Sequence, residues 1–105
     1  MNDTETELRR FDSHLVMRFE LTSEDLTGLE AACSMVVKEM KRTGRSYSGP
    51  MSLPKQKART GDSFREIHTR LFEMDTDDAI VMFLMSFTPP ERVKVKCAVA
   101  EKKFS

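Results

Sequence analysis

Leu15-Val16-Met17-Arg18-Phe19-Glu20-Leu21 opens the stretch that decides the fold, because Leu26, Leu29, Cys33, Val36, Val37 and Met40 follow it at a different period. Leu15, Met17, Phe19 and Leu21 alternate with Val16, Arg18 and Glu20, as a strand with one buried face requires. The later set recurs at helical spacing. Thr22 or Ser23 is placed to cap that helix, Glu24 and Asp25 to favour its positive end, and Gly44 to stop it after Lys41 and Arg42. Downstream, a short strand is expected around Arg45 to Ser48, a turn-rich connection, and a strand from Phe64 to Met74. Asp75 to Asp78 offer a second cap, and Ile80, Phe83, Leu84 and Phe87 form one apolar helix face that Pro89-Pro90 ends. Val93, Val95, Cys97 and Val99 then alternate with Arg92, Lys94, Lys96 and Ala98, giving a strand with one apolar and one basic face. The order βαββαβ predicts an α+β, ferredoxin-like fold, with two helices packed on one face of a four-stranded antiparallel sheet.

A chain of 105 residues, 39% apolar and 32% charged, has the size and composition of one globular domain. The expected organisation is a flexible acidic segment over 1–14, a single domain over 15–100 with a loop over 49–63, and a tail over 101–105. No apolar run reaches the roughly 20 residues of a membrane span. Met1 to Arg10 is acidic and polar, unlike a signal peptide or an arginine-rich presequence, so a cytosolic protein is expected. Cys33 and Cys97 fall on the apolar faces of their elements and are expected to be buried, reduced thiols.

The net charge of zero conceals segregation. Residues 1–30 carry −5, residues 38–70 carry +6, residues 71–90 carry −4 and residues 91–105 carry +3. The basic block coincides with the end of the first helix, the connection and the following strand, as an electrostatic footprint for an anionic partner would. Its centre is Ser48-Gly49-Pro50-Met51-Ser52-Leu53-Pro54-Lys55-Gln56-Lys57-Ala58-Arg59. Two prolines stiffen this segment and lower the entropy lost on docking. Lys55, Lys57 and Arg59 alternate, which in extended chain puts all three on one side, a row suited to phosphates. Met51 and Leu53 are candidates for contact with a neighbouring protein.

Catalytic signatures are missing from the sequence. His14, His68 and the two cysteines are too far apart for a local metal motif, and no Walker loop, dinucleotide fingerprint or nucleophile elbow occurs. Asp75, Asp77 and Asp78 are read as a helix cap and not as cation ligands. A phosphate hydrolase of this architecture would need an oriented amide beside an arginine, and Asn2 and Gln56 are the only side-chain amides. No cofactor, metal or small-molecule substrate is expected.

Gly49-Pro50, two residues, Leu53-Pro54 and a basic residue, then Ile67-His68 and Arg70-Leu71 in a strand, resemble the universal S-ten family of small-subunit ribosomal proteins, called S-twenty in eukaryotes. Leu21-Thr22-Ser23, Leu29-Glu30 and Cys33 look like its eukaryotic branch, and the likeness spans residues 15–100. The resemblance implies the ferredoxin-like fold already read from periodicity. It also implies a structural constituent of the small-subunit head that binds ribosomal RNA and neighbouring head proteins, with no catalytic role and no membrane. It favours the cytosolic ribosome over an organellar one. Lys38, Lys41, Arg42, Lys55, Lys57, Arg59, Arg65 and Arg70 are then the candidate phosphate contacts, with His68 bonding or stacking nearby. For Lys38, Lys41 and Arg42 an ordinary solvated helix face is an equal reading, and for His68 a strand histidine covered by its neighbours. This chain departs from the family in having Glu66 in place of arginine and Thr69 in place of lysine, and its connection is too short for the family's long hairpin. A divergent member with a shortened loop follows. A ribosome-independent protein-interaction module of the same fold is the alternative.

Overall fold

The computed structural model describes residues 13–103. Its elements are β1 (Ser13–Ser23), α1 (Leu26–Thr43), β2 (Tyr47–Ser52), β3 (Gln56–Thr60), β4 (Ser63–Asp75), α2 (Asp78–Ser86) and β5 (Lys94–Lys103). Every strand pairing is antiparallel, with the order β2-β4-β1-β5 and β3 joined to β4 alone. The arrangement is compatible with the expected ferredoxin-like fold, but the sheet has five strands instead of four. The expected loop over 49–63 is thus corrected: β2 continues through Ser52, and Gln56 to Thr60 folds back on Ser63 to Ile67 as a hairpin. Gly61 at φ 63 occupies the first position of the two-residue turn Gly61-Asp62, the arrangement whose twist suits a tight hairpin. β1 begins at Ser13 and β5 runs to Lys103, wider than the 15–100 span expected for the domain, while the expectations for residues 1–12, 104 and 105 lie outside the described residues.

Alternation in β1 decides which face is covered. Met17, Phe19 and Leu21 lie opposite Met74, Phe72 and Arg70 of β4, and the helices close over this side. Leu29, Cys33, Val36 and Met40 of α1 are buried against it, as the helical spacing predicts, and Ala32 joins them; Val37 is half-buried and Leu26, expected on the same face, is exposed. α2 adds Ile80, and Phe87 meets Phe19 edge-on with ring centroids 5.6 Å apart. Burying an aromatic or long aliphatic side chain contributes roughly 1.5–3 kcal/mol, so this single layer carries most of the hydrophobic stabilisation.

The helix ends follow their sequence signals closely, with one change. Gly44 stops α1 at φ 69, and the Gly44 and Arg45 amides donate to the Lys41 and Met40 carbonyls. Asp77 caps α2, its carboxylate accepting from the Ile80 amide at 2.9 Å while also pairing with Arg45, which ties the two helices together. At the start of α1, however, Asp25 holds the N-cap position without a side-chain cap bond. Ser23, expected as that cap, is buried on the helix side of β1, accepts from the Asp25 amide and donates to the Arg92 carbonyl, both at 2.9 Å. Its hydroxyl therefore joins the end of β1 to the turn before β5.

Cys33 is buried but Cys97 is exposed, which corrects the expectation for the second thiol. Cys97 does lie opposite Phe19 on the apolar face. β5 is an edge strand, though, and the nine-residue α2 leaves Val95 and Val99 partly uncovered as well. Burial holds the Cys33 thiol up at about 11, with Glu30 adding to the rise and Arg70 opposing it. A thiol reagent at neutral pH is expected to label Cys97 in the native protein and Cys33 only after denaturation. Since the unfolded thiol titrates near 9.0, the Cys33 contribution to stability is complete below that pH. It is lost between about 9 and about 11, where only the unfolded chain has released the proton. Urea unfolding across that window should fall less steeply in Cys33→Ala.

Candidate nucleic-acid interface

β-register sorts the candidate residues by face. Lys57 and Arg59 of β3 lie opposite Glu66 and Phe64 of β4, and all four alternate onto the helix side of the sheet with His68 and Arg70. Lys55, just before β3, reaches Glu66 at 3.8 Å. The expected row of Lys55, Lys57 and Arg59 is thus formed along one face of the hairpin. Towards the sheet centre it continues through His68 and Arg70 to Lys38 and Lys41, which flank a hollow beside Glu30 and Pro50. Lys38, Lys41 and Lys57 have no ion pair among the described residues.

Other candidates are engaged or face elsewhere. Arg42 grips Glu39 with two bonds of 2.8 and 2.7 Å, lowering that carboxyl's pKa, on the side of α1 that meets α2. Arg70 is mostly covered; it donates to Glu30 at 3.2 Å and to the Thr69 carbonyl at 3.3 Å, fastening α1 to β4. His68 is also largely covered, with its Nε2 4.0 Å from Glu66. Arg65 points to the opposite face from Glu66, 3.5 Å from Glu24. There it lines a cleft of about 780 Å3 with Arg92 and Lys94 and with the carboxylates of Glu24 and Asp25, a grouping of mixed charge that the sequence reading did not assemble. Arg92 itself takes φ 74, an uncommon conformation for a side chain of its size that no sequence signal reports.

Met51 and Leu53, the candidate protein contacts, are only partly free. Met51 lies opposite the buried Leu71 on the helix-free face, and the Leu53 amide donates to the Thr69 carbonyl at 3.1 Å, so both are half-buried and extend the β2–β4 pairing. Phe64 was missed as a surface residue, because a strand phenylalanine reads as core. It is 67% exposed, and the Arg59 guanidinium lies 5.7 Å from its ring centroid. Glu66 has the reverse significance: it sits centrally in the row, contacted by Lys55 and His68 and facing Lys57.

Among the described residues no cluster of His, Cys, Asp and Glu could hold a metal ion, and no helix is long and apolar enough to cross a membrane. The hairpin face is suited to holding an extended anion by many weak contacts. No family model matches the chain. It is, however, 30% identical over 94 residues to small ribosomal subunit protein uS10 of Methanopyrus kandleri, a match covering 76% of this chain and 92% of that protein. A five-stranded antiparallel sheet with two helices and a hairpin that carries a row of cations is thus similar to a protein of the small ribosomal subunit. The chain belongs to the uS10 family, whose members are structural proteins and not enzymes.

Proposed function

We propose that this protein is a structural constituent of the small ribosomal subunit, seated in its head, where it holds ribosomal RNA and neighbouring ribosomal proteins in place. The observation that carries the reading is the row of Lys55, Lys57 and Arg59 along one face of an exposed hairpin, in a chain of the uS10 family. Lys38 and Lys41 extend the row over α1. Phosphate contacts of this kind position a protein without reading sequence. Arg65, with Arg92 and Lys94, lies on the other side of the hairpin, where Glu24 and Asp25 offset part of their charge, so these cations are secondary to the row. His68 and Arg70 contribute chiefly by shaping the face, given their protein partners, while Arg42 lies away from it against Glu39. Met51 and Leu53 lie at the β2 edge, where a protein neighbour can cover what β4 leaves exposed.

The finer reading is a divergent member of eukaryotic, S-twenty type on the cytosolic ribosome, formed by a single domain with a shortened connection. A sucrose gradient of native lysate at low and high salt tests the function. Stoichiometric migration with small subunits in both conditions is expected. Migration at the top of the gradient in both would instead promote the ribosome-independent interaction module.

A further inference from the structure

We infer that Phe64 is a stacking platform for an unpaired nucleobase, set between the phosphate contacts of the hairpin; the inference rests on the RNA-binding reading above. A phenylalanine on a half-covered sheet ordinarily faces the core, and Phe64 is on the helix-side face of β4. It lies beyond the reach of α1, next to the Gly61-Asp62 turn, where the ribbon has no layer above it. It remains 67% exposed. Its cross-strand partner is Arg59, whose Nε donates to the Gly61 carbonyl at 3.1 Å and whose guanidinium lies 5.7 Å from the ring centroid. That bond anchors the arginine, so ring and guanidinium are held as adjacent planar groups before any ligand arrives.

The surroundings favour a base over an apolar protein pocket. Lys57, one step along the same face, has no ion pair among the described residues, and Lys55 follows it. A backbone tracking these cations places its bases within reach of the ring, and bases stack on aromatic faces regardless of identity. A pocket built to accept a phenylalanine would have to bury Arg59 and Lys57 beside it, at a desolvation cost that a phosphate backbone does not impose.

The test uses the full chain and a short single-stranded RNA carrying 2-aminopurine, whose fluorescence is quenched on stacking. Binding should quench it. Phe64→Leu is expected to abolish the quenching and weaken binding about tenfold while leaving the salt slope unchanged, because no phosphate contact is lost. Phe64→Tyr should retain both. Unchanged affinity and quenching in Phe64→Leu, with a slope that still falls in the Lys57→Ala, Arg59→Ala variant, would overturn the stacking site alone. A slope insensitive to the cations would overturn the RNA reading beneath it. Unchanged RNA binding by Phe64→Leu together with lost incorporation into subunits would assign the ring to a protein pocket and equally overturn the inference.

Discussion

Gly49→Ala should destabilise the protein by about 3 kcal/mol, an overpacking cost to which the positive-φ penalty adds. Gly49 lies where the β2–β4 register shifts between Ser48 and Met51, at φ 119, a conformation that L side chains rarely adopt. A Cβ there would stand 2.6 Å from the Leu71 carbonyl oxygen and 3.2 Å from the Phe72 Cα. Both atoms belong to the backbone of β4, which is paired on both sides and carries the fully buried Phe72, so the obstruction cannot rotate away. Gly61→Ala is the control. Its φ of 63 is also positive, but nothing lies within 4 Å, and only the left-handed penalty of about 1–2 kcal/mol remains. Urea denaturation of the two variants separates overlap from conformational preference, and equal losses would refute the close approach at Gly49.

Lys57→Ala with Arg59→Ala should lower the salt slope of RNA binding by about 1.4–1.8, the share of two phosphate contacts. Affinity should fall correspondingly at low salt, with little change in the urea midpoint, since exposed ion pairs and cation–π contacts each contribute at most about 1 kcal/mol. Glu66→Gln should act in the opposite direction, releasing Lys55 and removing a carboxylate that faces Lys57 across the hairpin. Arg42→Ala should leave the slope near its original value, because Glu39 already holds that guanidinium. A slope lost equally in Arg42→Ala and in the hairpin variant would mean that binding depends on net charge and not on the row.

Much of this was legible beforehand because it depended on local rules. Met17 to Leu21 and Leu29 to Met40 keep the periods that one buried face requires, whereas Leu15 and Leu26 at the starts of their elements are exposed; Gly44 and Asp77 work through contacts within a few residues. Lys57 and Arg59 shared a face because alternation in extended chain guarantees it. The fifth strand was missed since Pro50, Pro54 and the polar run to Asp62 resemble a loop; only the pairing of Gln56 to Thr60 with Ser63 to Ile67 makes them a hairpin. Cys97 sits on the apolar face that alternation predicts, yet exposure depends on how far α2 extends, which no period encodes.

By itself the sequence determined the two helices and four of the five strands in their order, most of their inward faces, the stop of α1 and the cap of α2, and the alternating row of cations, since each arises from interactions over a few residues. Tertiary structure decided which cations are available. Glu30 reaches Arg70 across 40 positions of sequence, Glu24 reaches Arg65 across 41, and Glu66 meets Lys55 only because the hairpin closes. Charge acts through space, and a carboxylate can neutralise only the cation that the fold brings beside it.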